Sequence, residues 1–199
     1  MKIEQFYLEQ ALQWLNLSED ATIVDLGAWN GTTPYLFSLK AQKGKVIAVE
    51  PVKETMALCI ERCKDRNNVI FCPYAISDKI GETDINIYKN RSDSNSLFLK
   101  RKGKYEFEKT EKVETITWDR LVEIYGLDRV DFCKANIEGA ETLLLKGMTK
   151  AFPEKMIIEQ HYRLGIVDKN ELTELIKQKG YKIEKEYRSF LYCLYERKS

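Results

Sequence analysis

The sequence has no apolar stretch of the roughly 18–20 residues that a membrane-spanning helix requires. It also lacks an excess of either charge. A net charge of +1 gives no general pull toward nucleic acid or a membrane surface. There is no C-x-x-C pair and no set of four ligands at metal-binding spacing, so no metal cluster is expected. The five cysteines, an odd number, are expected as buried free thiols in a reducing compartment. Repeats, low-complexity tracts and linkers are absent, and 199 residues suit one α/β domain over 1–199. The N-terminus, MKIEQFYLEQALQWL, places Glu4 and Glu9 inside its apolar pattern. That predicts an amphipathic helix within residues 1–20 rather than a signal peptide, with a cytoplasmic location as the expectation.

What is present is an alternation of strand and helix patterns. Strands are predicted at 22–26, 45–50, 68–74, 130–135 and 155–161, and helices at 31–42, 53–66 and 139–146. TDINIYK (83–89) and KVETITW (112–118) read as half-buried strands, with a helix over 119–125. Residues 90–112 are polar and charged, and read as an irregular segment on the substrate side. Asp168-Lys169-Asn170-Glu171 is a capping box for a helix ending near Gly180. YKIEKEY (181–187) and FLYCLYE (190–196), joined by a short link at Arg188, form a hairpin. The fold class is therefore α/β: a mostly parallel sheet covered on both faces, with an antiparallel C-terminal hairpin. In such sheets ligands bind beyond the carboxyl ends of the strands.

After the first strand comes Asp25-Leu26-Gly27-Ala28-Trp29-Asn30-Gly31. The spacing is G-x-x-x-G, not the dinucleotide pattern G-x-G-x-x-G. Trp29 occupies the place of the glycine that lets a pyrophosphate approach the backbone, which argues against NAD or FAD. S-adenosylmethionine, which carries no phosphate, asks less of such a loop. Glu50 ends the second strand, 19 residues after Gly31, where an acid accepts hydrogen bonds from ribose hydroxyls. Ala75-Ile76-Ser77-Asp78 follows the third strand, either at an adenine edge or as a plain turn.

With these pieces assembled, the chain resembles the FkbM-type family of S-adenosylmethionine-dependent methyltransferases. VDLGAWNG (24–31), VIAVEP (46–51), YAISDKIGE (74–82) and VDFCKANIEGAETLLLKG (130–147) carry the resemblance, and KVETITWDRL (112–121) adds to it. It implies a Rossmann-like class I methyltransferase sheet and S-adenosylmethionine as cofactor. The cofactor would contact Asp25, Gly27, Ala28 and Gly31, with Asn30 beside them, then Glu50, with Ala75 and Asp78 flanking adenine. Many members methylate hydroxyls of sugars or natural products, so the implied acceptor is a small molecule, such as a glycan or an anionic compound. Neither nucleic acid nor membrane is expected as a partner. The sequence departs from the family at two places: Trp29 stands where Asn is common, and Asn136 where Asp is usual. Those departures keep open a binding module without catalysis; a nicotinamide oxidoreductase is the remaining alternative.

The fourth strand ends on Lys134-Ala135-Asn136, followed by Glu138, Gly139 and Glu141. Asn136 can donate and accept, so it can bind the acceptor, the cofactor's ammonium or its own loop. Glu138 is read as placing the acceptor or holding the loop, and Glu141 as stabilising the helix N-terminus. The resemblance sets strand five beside strand four. His161, the only histidine, and Glu159 would then face Asn136 and Glu138, with His161 as general base. KRKGK (100–104) reads as a solvated loop or, with Arg91 and Ser92–Ser96, as a lid over an anionic acceptor.

Overall fold

The first strand, β1 (Thr22–Leu26), is buried along its whole length because it lies in the middle of a seven-stranded sheet. In this computed structural model, residues 13–89, 94–98, 106–161 and 166–196 are described. Of the expected N-terminal helix, 13–15 are helical and 1–12 lie outside the described residues.

On one side of β1 lie β2 (Lys45–Val49) and β3 (Val69–Cys72); on the other lie β7 (Phe132–Ala135), β8 (Lys155–Glu159), β10 (Phe190–Tyr195) and β9 (Tyr181–Tyr187). The pairings β3-β2-β1-β7-β8 are all parallel, and β10 runs antiparallel to both β8 and β9. The C-terminal hairpin thus inserts its second strand against β8 and leaves β9 at the edge.

Period-two alternation sorts the strand residues onto two faces. Val24, Leu26, Ile47, Val49, Cys133, Ala135, Met156 and Ile158 share one core with Trp118, Leu144 and Leu172. These three come from α3 (Trp118–Ile124), α4 (Glu141–Lys146) and α5 (Lys169–Gln178). Ile23, Val46, Ala48, Phe132 and Ile157 share the other core with Phe37, Met56 and Cys59, from α1 (Thr32–Lys40) and α2 (Lys53–Cys63). All five cysteines are free and buried. No described helix is long and apolar enough to cross a membrane.

A second, smaller sheet of order β4-β6-β5 follows β3, built from β4 (Ala75–Ile76), β5 (Gly81–Tyr88) and β6 (Phe107–Ile116). Strand β6 begins at Phe107, so the last residues of the expected irregular segment 90–112 are strand instead. The sequence hides this because residues 107–110 are exposed on both faces, and no apolar alternation marks them. Their order comes from antiparallel pairing with β5. A further segment, Ser94–Phe98, returns to this sheet through a bridge between Asn86 and Ser96.

Candidate active site

Strand order reverses direction at β1 and β7: the chain moves from β1 to β2 and β3 on one side, and then from β7 to β8 on the other. Such a switch point opens a crevice beyond the carboxyl ends of the two strands. The backbone N–H of Asn136 donates to the Leu26 carbonyl at 3.0 Å, fixing how the two strand ends meet.

The loop after β1 is shaped by close approach on both sides. Gly27 adopts φ 77°, and a Cβ there would overlap the Asn136 carbonyl oxygen. Gly31 has φ 80°, and a Cβ would sit 2.9 Å from the Cys59 backbone in α2. Between them Trp29 has φ 47°, a conformation that costs a non-glycine residue about 1–2 kcal/mol. Glu50 offsets that cost. Its Oε2 accepts from the Trp29 N–H at 3.2 Å, and its Oε1 accepts from the Val52 N–H at 3.1 Å. Gly27 and Ala28 donate their N–H groups to the Val49 carbonyl, both at 3.0 Å. Asn30 Oδ1 accepts from the backbone N–H and the hydroxyl of Thr32, at 3.2 and 2.8 Å, closing the first turn of α1.

Asp25 lies fully buried in β1, with one oxygen 2.8 Å from Lys134 Nζ and the other without a hydrogen-bond partner. Burial pushes its carboxyl above the usual carboxylate range, against the pull of the Lys134 ammonium. Burial raises Glu50 as well, to about 7, despite its two backbone hydrogen bonds. The Asn136 side-chain oxygen is a second buried acceptor without a partner. Two orphan acceptors at the ends of neighbouring strands fit a ligand that brings N–H donors. Ala75 is buried in β4, whereas Asp78 is exposed and accepts from the Ser77 hydroxyl at 3.2 Å.

The expected start of α4 at Gly139 is corrected to Glu141. Glu138 and Gly139 both have positive φ, 52° and 110°, and cannot enter a right-handed helix. A Cβ on Gly139 would overlap the Ile166 side chain and lie 3.0 Å from Phe98. Ser96 donates its hydroxyl to the Glu138 carbonyl at 2.6 Å, so the small sheet holds this strained turn from outside.

His161 is buried between two carboxylates. Its Nδ1 lies 2.7 Å from Glu141 Oε1, and its Nε2 lies 3.3 Å from Glu138 Oε1. The expected pairing with Glu138 is present. Glu159 is not the ring's other partner; it accepts from Ser189 Oγ at 3.2 Å, and β10 lies between it and β9. Glu141 takes that place, and is far more than a helix-end charge: it is fully buried and also accepts from the Gly139 N–H at 3.2 Å. Residues 90–93 and 99–105, including Arg91 and KRKGK, lie outside the described residues.

Two residues of the site are not expected there from sequence: Lys134 has no assigned role, and Glu141 is expected only to stabilise the helix N-terminus. Lys134 could have been found as a lysine inside an otherwise apolar strand, level with Asp25 in the neighbouring one. Glu141 carried no comparable signal, because an acid in a first helical turn is ordinary.

Comparison with known proteins agrees with this architecture. Residues 25–183 match the family described as the methyltransferase FkbM domain. The chain is 30% identical over 162 residues to the hexuronic acid methyltransferase AglP of Haloferax volcanii, covering 80% of this chain and 63% of that protein. The chain thus spans under two thirds of that relative's length. Among solved structures, a SAM-dependent methyltransferase from Aquifex aeolicus superposes with TM-score 0.56 at 15% identity, over 94% of this chain and 89% of its own. Aeropyrum pernix fibrillarin in complex with natively bound S-adenosyl-L-methionine gives 0.53 at 13%, over 89% and 69%. At such identities these two show a shared fold.

Proposed function

The chain belongs to the methyltransferase FkbM domain family, and from that membership we propose that it transfers a methyl group from S-adenosyl-L-methionine to a hydroxyl of a sugar or another small molecule. The observation that supports it most is the hydrogen bond from Trp29 N–H to Glu50. It joins the loop after β1 to the acid after β2, the two parts a nucleoside needs together.

In this reading Gly27, Ala28, Asn30 and Gly31 form the cofactor cradle, and Glu50 accepts from the ribose hydroxyls. The orphan oxygens of Asp25 and Asn136 suit the cofactor's α-ammonium. Ala75 and Asp78 flank the adenine. When bound, the cofactor supplies an electrophilic methyl carbon on a sulfonium. An acceptor oxygen would take that methyl carbon, and the sulfur would keep the electron pair of the bond it loses. The protein's remaining task is to align the hydroxyl and remove its proton. His161, with Glu138 at its Nε2, is the proton acceptor. Asn136, at the end of β7, orients the acceptor.

A hexuronic acid methyltransferase among the relatives makes glycans bearing uronic acids the first acceptors to try. The test is incubation with the cofactor and a panel of hexuronate-containing and neutral glycans, read by mass spectrometry. A gain of one methylene on an acceptor, with S-adenosylhomocysteine released in equal amount, is the expected result. A protein that binds the cofactor and methylates no member of a broad hydroxyl panel would contradict the catalytic reading.

A further inference from the structure

We infer that Glu141 is a positioning residue: it holds the hydrogen on Nδ1 of His161, so that Nε2 is the nitrogen that exchanges a proton on the side of Glu138 and the acceptor. The inference rests on the reading of His161 as proton acceptor and deepens it.

The geometry is unequal in the required sense. The Nδ1 contact to Glu141 is 2.7 Å, a short charge-assisted bond, whereas the Nε2 contact to Glu138 is 3.3 Å. Glu141 is also the more firmly placed partner. It is fully buried, its Oε1 is fixed by the Gly139 N–H, and Gly139 is hemmed in by Ile166 and Phe98. Its second oxygen is buried with no hydrogen-bond partner. A buried carboxylate with an orphan oxygen is costly. A helix start could be served by an exposed acid at no such cost, so the payoff lies at the imidazole. The other carboxylate sits on a residue of positive φ, tied down by Ser96 through its backbone, and its side chain is partly exposed. An acceptor hydroxyl reaches the ring from that side. Proton removal then moves the O–H hydrogen to Nε2, leaving an imidazolium that donates to Glu141 from Nδ1 and to Glu138 from Nε2.

Because the chain has a single histidine, the ring can be read directly by two-bond ¹H–¹⁵N correlation NMR on the full chain. In the wild-type protein at about pH 8 the ring is expected to carry its hydrogen on Nδ1. In Glu141→Gln the charged acceptor at Nδ1 is gone, while Glu138 still offers one at Nε2. The hydrogen is then expected to move to Nε2, because a charged acceptor outcompetes a neutral amide. In Glu138→Gln it should stay on Nδ1. A wild-type ring with hydrogen on Nε2, or on both nitrogens, overturns the inference. So does Glu141→Gln with hydrogen still on Nδ1. If Glu141→Gln does not fold, the wild type and Glu138→Gln decide. Neither readout needs an acceptor, so the inference can fail while methyl transfer stands. Conversely, S-adenosylhomocysteine affinity, expected to change less than about threefold in Glu141→Gln, reports on the cofactor site alone. With an acceptor in hand, Glu141→Gln should lower kcat by roughly 10²-fold or more with little change in acceptor KM.

Discussion

Lys134 Nζ lies 2.8 Å from the carboxylate of Asp25, two residues level with each other on adjacent parallel strands in the middle of the sheet. The same ammonium is 3.3 Å from the Gly27 carbonyl, so one side chain braces both the buried acid and the loop that follows it. Lys134→Met leaves Asp25 buried without a counter-charge. The expected loss is about 3 kcal/mol near pH 8, in line with removing one partner of a buried pair. Lysine removal also lifts the Asp25 carboxyl further above its usual range. At about pH 5 more of it is neutral, and the loss should shrink. Urea unfolding at both pH values checks this; an equal loss at both would detach the effect from Asp25.

Glu50 makes stability and affinity respond to pH in opposite directions. Its folded-state value of about 7 lies above the ordinary 4.5, so the folded state binds more protons between those limits. The cofactor-free protein should therefore gain stability as pH falls from 7 toward 4.5, by up to about 3 kcal/mol from this group. Buried Asp25, also raised, pulls the same way. A carboxylate that accepts from ribose must instead be ionised, so S-adenosylhomocysteine affinity should fall as pH drops below about 7. Glu50→Ala should cost about 1.5–3 kcal/mol of binding at pH 8 and flatten the pH dependence. Calorimetry across that range decides, and an undiminished affinity in the mutant would remove Glu50 from the cofactor site.

Two glycines with positive φ provide a matched pair. Gly27→Ala puts a methyl group into the Asn136 carbonyl, so the ends of β1 and β7 must separate. Gly126, at φ 55°, has nothing within 4 Å of the position of a Cβ. Gly126→Ala should cost only the left-handed conformation, about 1–2 kcal/mol. Gly27→Ala should cost at least about 2 kcal/mol more and weaken cofactor binding. Equal midpoints in denaturant would show that the loop relaxes freely.

Much of this architecture could be read from residues alone, for physical reasons that differ from place to place. Strands such as β1, with apolar residues on both faces, announce a covered parallel sheet, and Asp168 with Glu171 marks the start of α5, where the Asp168 side chain accepts from the Glu171 N–H at 2.8 Å. The loop glycines and Glu50 were legible because spacing along the chain fixes their place at the strand ends. What escaped depends on contacts between distant segments. Exposed β6 residues are ordered by pairing with β5, Glu138 is held by Ser96, and Glu141 gains its partner only when β8 brings His161 beside it. No local pattern encodes such meetings.

His161 gives the sharpest kinetic expectation. His161→Ala should lower turnover by roughly 10²–10⁴-fold if proton transfer belongs to the slow step, with cofactor affinity near wild type. His161→Gln, which hydrogen-bonds but takes no proton at neutral pH, should fail similarly. Near-normal rates in both would move the base to Glu138, to water or to the acceptor itself.

The central claim is that the loop after β1, with Glu50 behind it, holds S-adenosylmethionine and not a dinucleotide. Isothermal titration of the wild-type chain with S-adenosylhomocysteine, and separately with NADH, tests it without knowledge of any acceptor. Saturable one-to-one binding of S-adenosylhomocysteine, with no measurable heat from NADH, is the expected outcome. Binding of NADH with none of S-adenosylhomocysteine would contradict the account.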